Sequence, residues 1–215
     1  MNHYPISAPS AAPPLLTRRQ QAKLRTRGKL LDAARELFAE RGYEAATVRD
    51  IAAAADLSTG AVFASFTDKA DLFNEVILAD YQQLHQLMVS TPDEGGSVRD
   101  TLLSLLTQAY DTHLDRLRLV QAVLSFSWTR DIRAERGDLQ GVKLVLDHLT
   151  TVLQRGIDRG EFPQPLDARL TAEMLWDCYV SNYRRAIFDG WDRTALRQRL
   201  SDQIDVLLCM HRQAA

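Results

Sequence analysis

The side chains of this sequence best placed to do chemistry are cations and hydroxyls, and they gather towards one end. Arg18, Arg19, Lys23, Arg25, Arg27 and Lys29 fall within the first 30 residues, which hold no Asp or Glu. The other 185 residues carry 20 basic and 28 acidic side chains, so the formal net charge of −2 hides a basic end and an acidic remainder. A basic end attracts a polyanion by long-range field and by counterion release. Downstream, Thr47, Ser58, Thr59, Ser65 and Lys69 add the hydroxyl and ammonium donors that hold phosphate oxygens.

Other chemistries find no constellation. His85, His113, His148 and His211 fall on four different expected helices, without the i, i+4 pairing of a helical metal motif. No glycine-rich phosphate loop occurs, and no Ser or Cys has a base close by in sequence. The expectation is therefore no enzyme, no metal and no cofactor. The two cysteines, Cys178 and Cys209, sit in apolar helical surroundings and give neither ligand spacing nor a disulfide framework. No apolar run approaches the roughly 20 residues needed to cross a membrane. The first 17 residues lack the charged start and continuous apolar stretch of a signal peptide. A reduced cytoplasm, with no membrane contact, is the expected setting.

These donors need helices to position them. Leu30, Leu31, Ala34, Leu37 and Phe38 repeat at the spacing of one buried helix face, and Gly42 closes that helix. Thr47, with Asp50 three residues on, marks the N-cap of a short second helix carrying Val48, Ile51, Ala52 and Ala55 inward. Asp56-Leu57 turns the chain, Ser58 caps again, and Gly60–Phe66 forms a third short helix. Two short helices joined by a tight turn can place the second in a DNA major groove.

The run GYEAATVRDIAAAADLSTGAVFASFTDKADLF resembles, nearly position by position, the N-terminal domain of the tetracycline-repressor (TetR) family of transcriptional regulators. The stretch QRGIDRGEFPQPLDARLTAEML resembles the family more loosely, where its seventh helix joins its eighth. The resemblance implies DNA contacts from Thr47, Ser58, Thr59, Gly60, Phe63, Ser65 and Lys69, with Arg18, Arg19, Arg25 and Arg27 supplying positive charge beside them. It implies that Lys69 approaches a phosphate. Two departures bear on this. Asp56 stands at a turn position that the family usually fills with glycine. Phe63-Ala64-Ser65 stands where the family often has a tyrosine and histidine run, so hydroxyl and imidazole donors are scarce there.

The remainder is expected to be all α-helical, giving about nine helices overall. Residues 1–20 read as a disordered Pro-, Ser- and Ala-rich arm, 21–70 as the helix-turn-helix domain, and 71–215 as a C-terminal ligand-binding and dimerisation domain. A long helix with Leu72, Phe73, Val76, Ile77, Tyr81, Leu84 and Met88 on one stripe links the two domains. The last two helices are expected to run to about Phe188 and about Arg212. Tyr110, His113, Phe126, Trp128, His148, Trp176, Tyr179, Asn182 and Tyr183 are the aromatic and polar residues expected to line a cavity; plain core packing stays open for each, and a dimer face for the last three. Apolar stripes at Leu175, Tyr179, Asn182, Tyr183 and Ala186, and at Leu196, Leu200, Ile204 and Leu207, are expected to meet a second copy in a four-helix bundle.

The sequence thus predicts a homodimeric DNA-binding regulator, reading a pseudo-palindromic duplex as a repressor and released by a small-molecule effector. Two alternatives remain: a DNA-binding regulator whose C-terminal domain only dimerises or binds a protein, and a helical small-molecule-binding protein without DNA binding.

Overall fold

A computed structural model describes residues 17–91, 96–129, 136–162 and 164–209, without the side chains of 126–129 and 136–139. Among them lie nine α-helices and no strand: α1 Arg18–Ala45, α2 Val48–Ala54, α3 Thr59–Phe63, α4 Lys69–Ser90, α5 Val98–His113, α6 Leu117–Thr129, α7 Arg136–Asp158, α8 Ala168–Asp189 and α9 Arg193–Leu207. A single 3-10 turn, Leu114–Arg116, joins α5 to α6.

Local chemistry sets most of the helix starts. Thr17, Thr47, Ser58, Asp68, Ser97, Asp167 and Asp192 each accept a hydrogen bond from the backbone N–H three residues on, satisfying a donor that the first helical turn leaves free. At Thr47 the bond is reciprocal, because the Asp50 carboxylate accepts from the Thr47 N–H. The same reciprocal pair between Thr17 and Gln20 starts α1 at Arg18. Arg18 and Arg19 are therefore helical, not part of the expected arm, whose residues 1–16 lie outside the described residues. At the other end α9 stops at Leu207, short of the expected Arg212, because Cys209 turns to a φ of 53°.

Gly42 breaks α1 with φ 79° and ψ 170°, a conformation essentially reserved for glycine. Asp56 adopts φ 55° in the turn between α2 and α3. That is the left-handed conformation which Asp tolerates better than most residues.

Two apolar cores result. The first joins Leu30, Phe38, Ile51, Val62, Phe66, Phe73 and Ile77 with Leu119 of α6. The second gathers Leu84, Met88, Leu102, Leu106, Tyr110, Leu149, Leu175, Leu200 and Ile204 from α4, α5, α7, α8 and α9. Helix α4 contributes to both, with Tyr81 packed against each. Opposite Tyr81, Gly141 of α7 comes so close that an added Cβ would lie 2.6 Å from the tyrosine Cβ, so the α7 backbone packs directly on the Tyr81 side chain of α4.

The expected dimer stripe requires a correction. Leu175, Tyr179, Asn182, Tyr183, Ala186, Leu196, Leu200 and Ile204 are all buried within a single chain, and Leu207 is half-buried. Helices α5 and α7 pack against α9 and α8 respectively and cover these faces, so one chain buries both stripes. Arg99 of α5 reinforces that cover, its guanidinium donating to the Asp205 carboxylate and the Ser201 hydroxyl of α9. Outward, α8 and α9 instead present Leu170, Met174, Phe188 and Val206.

Candidate nucleic-acid interface and internal cavity

Helix α3 turns Val62 into the first core and leaves Thr59, Gly60, Phe63 and Ala64 exposed. Ser65 is half-buried, and the Ser58 hydroxyl accepts from the Ala61 N–H at 3.2 Å. The Thr47 hydroxyl is committed to Asp50, donating to its carboxylate at 2.6 Å and accepting from its N–H at 3.1 Å.

Two cations expected at DNA are engaged inside the chain. The Lys69 ammonium donates to the carbonyls of Tyr43, Glu44 and Ala46 at 2.9, 3.4 and 3.3 Å, and lies 4.3 Å from the Tyr43 ring centroid. It thereby satisfies carbonyls that the end of α1 leaves open, where the helix dipole favours a cation. Arg27 donates to the Ser65 carbonyl at 2.6 Å, pairs with Glu75 at 2.9 Å and stacks 4.2 Å from the Phe66 ring centroid. It holds the end of α3 against α1 and α4. By contrast, Arg18, Arg19, Lys23 and Arg25 are exposed on the first turns of α1 and form no ion pair with a described residue. Arg49, on the exposed side of α2, is a further unpaired cation that sequence reasoning passed over.

Between α4, the α5–α6 junction and α8 lies a cavity of about 290 Å³, at the small end of the volumes typical of ligand sites. Its apolar walls are Ile77, Leu84 and Leu87 from α4, Leu119, Val120, Val123 and Leu124 from α6, and Val180 from α8. Tyr81 and Trp176 add aromatic faces, and Asp80, Gln83, Thr112, His113, Arg116, Tyr179 and Tyr183 add polar groups. Of the residues expected to line a cavity, the fold brings His113, Trp176 and Tyr179 together here. Tyr110 lies behind them, stacked on Tyr179 at 4.7 Å. His148 is elsewhere, 5.9 Å from His85. The side chains of Phe126 and Trp128 lie outside the described residues. Tyr183, expected either in the cavity or at the dimer face, lines the cavity.

Behind the cavity the polar groups form a connected set. The Tyr179 and Tyr183 hydroxyls are 2.6 Å apart, and His113 Nδ1 lies 3.3 Å and 3.0 Å from them. Burial pushes both phenols well above their ordinary range and lowers the His113 imidazole, so all three groups are neutral near pH 7. Tyr110 donates to the Tyr179 carbonyl at 3.2 Å and accepts from Asn182 at 3.1 Å. The Asn182 carbonyl in turn accepts from Arg199 of α9 at 3.0 Å.

The pattern of the family "Bacterial regulatory proteins, tetR family" matches residues 30–76, spanning α2, α3 and parts of α1 and α4. The HTH-type transcriptional repressor AcnR of Corynebacterium efficiens is 32% identical over 162 residues, covering 73% of this chain and 80% of that protein. This chain belongs to the TetR family. The family assignment also fits the repressor KstR2 of Rhodococcus jostii, 29% identical over 161 residues, 70% of this chain and 74% of the relative. Among solved structures, the regulator FadR of Bacillus subtilis in complex with stearoyl-CoA superposes with a TM-score of 0.73 at 21% identity, over 86% of this chain and 99% of that one. That likeness shows the shared fold. The protein is a helix-turn-helix transcriptional regulator, and among its described residues no helix is long and apolar enough to cross a membrane.

Proposed function

We propose that this regulator is a homodimeric repressor, released from duplex DNA when a small molecule fills the cavity. The observation that carries the reading is that the cavity and the DNA-binding end share walls. Ile77 and Leu119 line the cavity and also belong to the first core. Asp80 lines it and accepts from Arg35 of α1 at 2.7 Å. Arg118, from the cavity-lining helix α6, donates to the Glu40 carbonyl of α1. An occupant that shifts α4 or α6 must therefore move the helices that carry α3. To favour release it must bind the displaced arrangement more tightly. The repressor direction follows the named activity of AcnR and KstR2, and the FadR complex with stearoyl-CoA shows that a protein of this fold accommodates a small molecule.

The dimer surface we assign is the outward stripe of α8 and α9, with Leu170, Met174, Asp177, Ser181 and Phe188 on one helix and Arg199, Asp202 and Val206 on the other. Each set recurs at helical spacing on one face. To read one duplex, a second copy across this stripe must set its α3 roughly 34 Å from the first, the spacing of successive major-groove faces. Thr59, Gly60 and Phe63 would then reach base edges, with Ser58, Ser65, Arg18, Arg19, Arg25 and Arg49 near the backbone.

Selection of binding sites from a random duplex pool tests the reading. The enriched sequence should be an inverted repeat, bound by two chains. Recovery of no enriched sequence would instead support a helical binding protein without DNA recognition, the alternative that Phe63-Ala64-Ser65 favours.

A further inference from the structure

The cavity is mostly apolar, and its two charged groups, Asp80 and Arg116, which both act on the His113 imidazole, differ in how they are partnered. Leu84, Leu87, Val120 and Leu124 belong to its apolar lining, and Asp80, His113 and Arg116 to its polar lining. Asp80 is held by the Arg35 guanidinium at 2.7 Å, in a pair whose side chains are only 12% and 21% exposed, and Arg35 also meets the exposed Asp32 at 3.3 Å. A cationic ligand would have to displace that guanidinium from a well-formed, mostly buried contact. Arg116 has no such partner among the described residues. Its neighbour Asp115 is committed to Arg193 at 2.7 Å, and Asp111 shares the same guanidinium at 3.5 Å. Arg116 is therefore the lining guanidinium left free to donate to a ligand.

His113 supplies a second donor beside it. Three groups meet in the Tyr179–Tyr183–His113 contact, with two hydroxyl protons to place. If Nδ1 donated, one phenol proton would be left without an acceptor. If Nδ1 accepts, one phenol donates to the other and that one to the imidazole, and every proton is used. The neutral ring then holds its own proton on Nε2, and no described residue accepts from that N–H. Nor is Nε2 sealed away, because Asn74 Oδ1 is the only buried side-chain oxygen or nitrogen without a partner among the described residues.

We propose, building on the effector reading of this cavity, that its occupant is an amphiphilic anion. Its apolar body lies along Leu84, Leu87, Val120 and Leu124, and its anionic oxygens accept from the Arg116 guanidinium and the His113 Nε2–H. Carboxylates and phosphate monoesters share this chemistry.

The test is calorimetric titration of the full chain with decanoate, decyl phosphate, decanol and decyltrimethylammonium, which share one apolar chain and differ in head group. One or both anions should bind roughly ten- to a hundredfold tighter than decanol, the worth of a charge-assisted hydrogen bond, and the cation should bind more weakly than decanol. The better anion identifies the source. Arg116→Gln should erase the anion's advantage while leaving decanol affinity within about twofold, and Arg116→Lys should restore most of it. Decanol binding as tightly as both anions, or anion affinity unchanged in Arg116→Gln, overturns the proposal and leaves the effector cavity standing. Failure of all four probes to bind overturns both. Tight anion binding with no change in duplex affinity would sink the release mechanism alone. Should Arg116→Gln not fold, the head-group ranking on the unaltered chain decides.

Discussion

Phe63 of α3 is 58% exposed and Phe188 of α8 is 67% exposed, but the charges around the two rings are arranged differently. Beyond Arg27, which touches the end of α3, the preceding turns of α1 carry Arg18, Arg19, Lys23 and Arg25 with no acidic partner. Along α8, Arg185 pairs with Asp189 at 2.7 Å and Arg169 with Glu173 and Asp147 at 2.7 and 2.9 Å, while Arg184, 5.7 Å from the Phe188 ring centroid, has no ion pair with a described residue. An apolar side chain beside unmatched cations suits a polyanion whose counterions can be released. Beside one such cation, set between paired ones, it suits another protein surface, where burial gains area and Arg184 can stay over the ring. The same division separates cations that build the headpiece, Arg27, Arg35 and Lys69, from those free to meet a ligand.

The sharpest way to break this comparison sets the inner stripe of α9 against its outer one. Leu200 is fully buried and Val206 is 76% exposed. Leu200→Glu strands a carboxylate in the second core and should cost about 3 kcal/mol or more, read as a collapsed circular-dichroism melt. Val206→Glu should keep the melt and weaken the dimer in analytical ultracentrifugation. A folded, monomeric Leu200→Glu would return the interface to the inner stripe.

Lys69→Ala comes next in size. It removes the ammonium that donates to the Tyr43, Glu44 and Ala46 carbonyls, and should destabilise the chain by about 1–3 kcal/mol. The slope of log DNA affinity against log salt should stay as it was. A slope reduced by about 0.9 with an unchanged melt would put the ammonium on a phosphate instead.

Replacing Arg18 and Arg19 together by Gln should do the reverse. The salt slope should fall by up to about 1.8, and stability should move by no more than about 0.5 kcal/mol. An unaltered slope would mean that these unpaired cations do not reach the duplex.

The smallest expected effect is one of pH. Burial lowers the His113 imidazole below its ordinary 6.5, with Asp80 opposing and Arg116 assisting, while the facing phenols of Tyr179 and Tyr183 stay neutral. The unfolded chain therefore takes up its proton first. Stability should fall as pH drops below about 6.5 and level off once the folded imidazole is also protonated. His148 shifts the same way, so the share due to His113 is the part of the decline lost in His113→Gln, read by urea titration at about pH 7.5 and about pH 5.5. An identical decline in both proteins would remove His113 as a titrating group.

The headpiece was legible because its decisive contacts are short in sequence. Thr47 with Asp50, Ser58 with Ala61 and Asp68 with Asp71 are all three residues apart, and the turn at Asp56 announces itself by residue type. The internal partners of Lys69 and Arg27 stayed hidden for the opposite reason: the carbonyls of Tyr43 and Ser65 lie 26 and 38 residues away. In the cavity, His113, Trp176 and Tyr179 stood out as polar or aromatic residues within apolar helices. Leu84, Leu87 and Val120 look like any core aliphatic until the helices are placed, and Arg116 like any surface cation. Leucine stripes likewise show which face is buried, but not whether the cover comes from the same chain. Here α5 and α7 supply it.

Leu119 has a consequence for anyone who would treat this protein as two exchangeable parts. It sits at 4% exposure among the headpiece residues although it belongs to α6, more than forty positions beyond α3. A chimaera that joined this headpiece to another regulator's effector half would swap that leucine for a stranger's side chain and break the seam where the signal has to cross. Headpiece and α6 should therefore have to be transplanted as one piece, and partner choice in such hybrids should depend on how well α6 fits rather than on where the linker is cut.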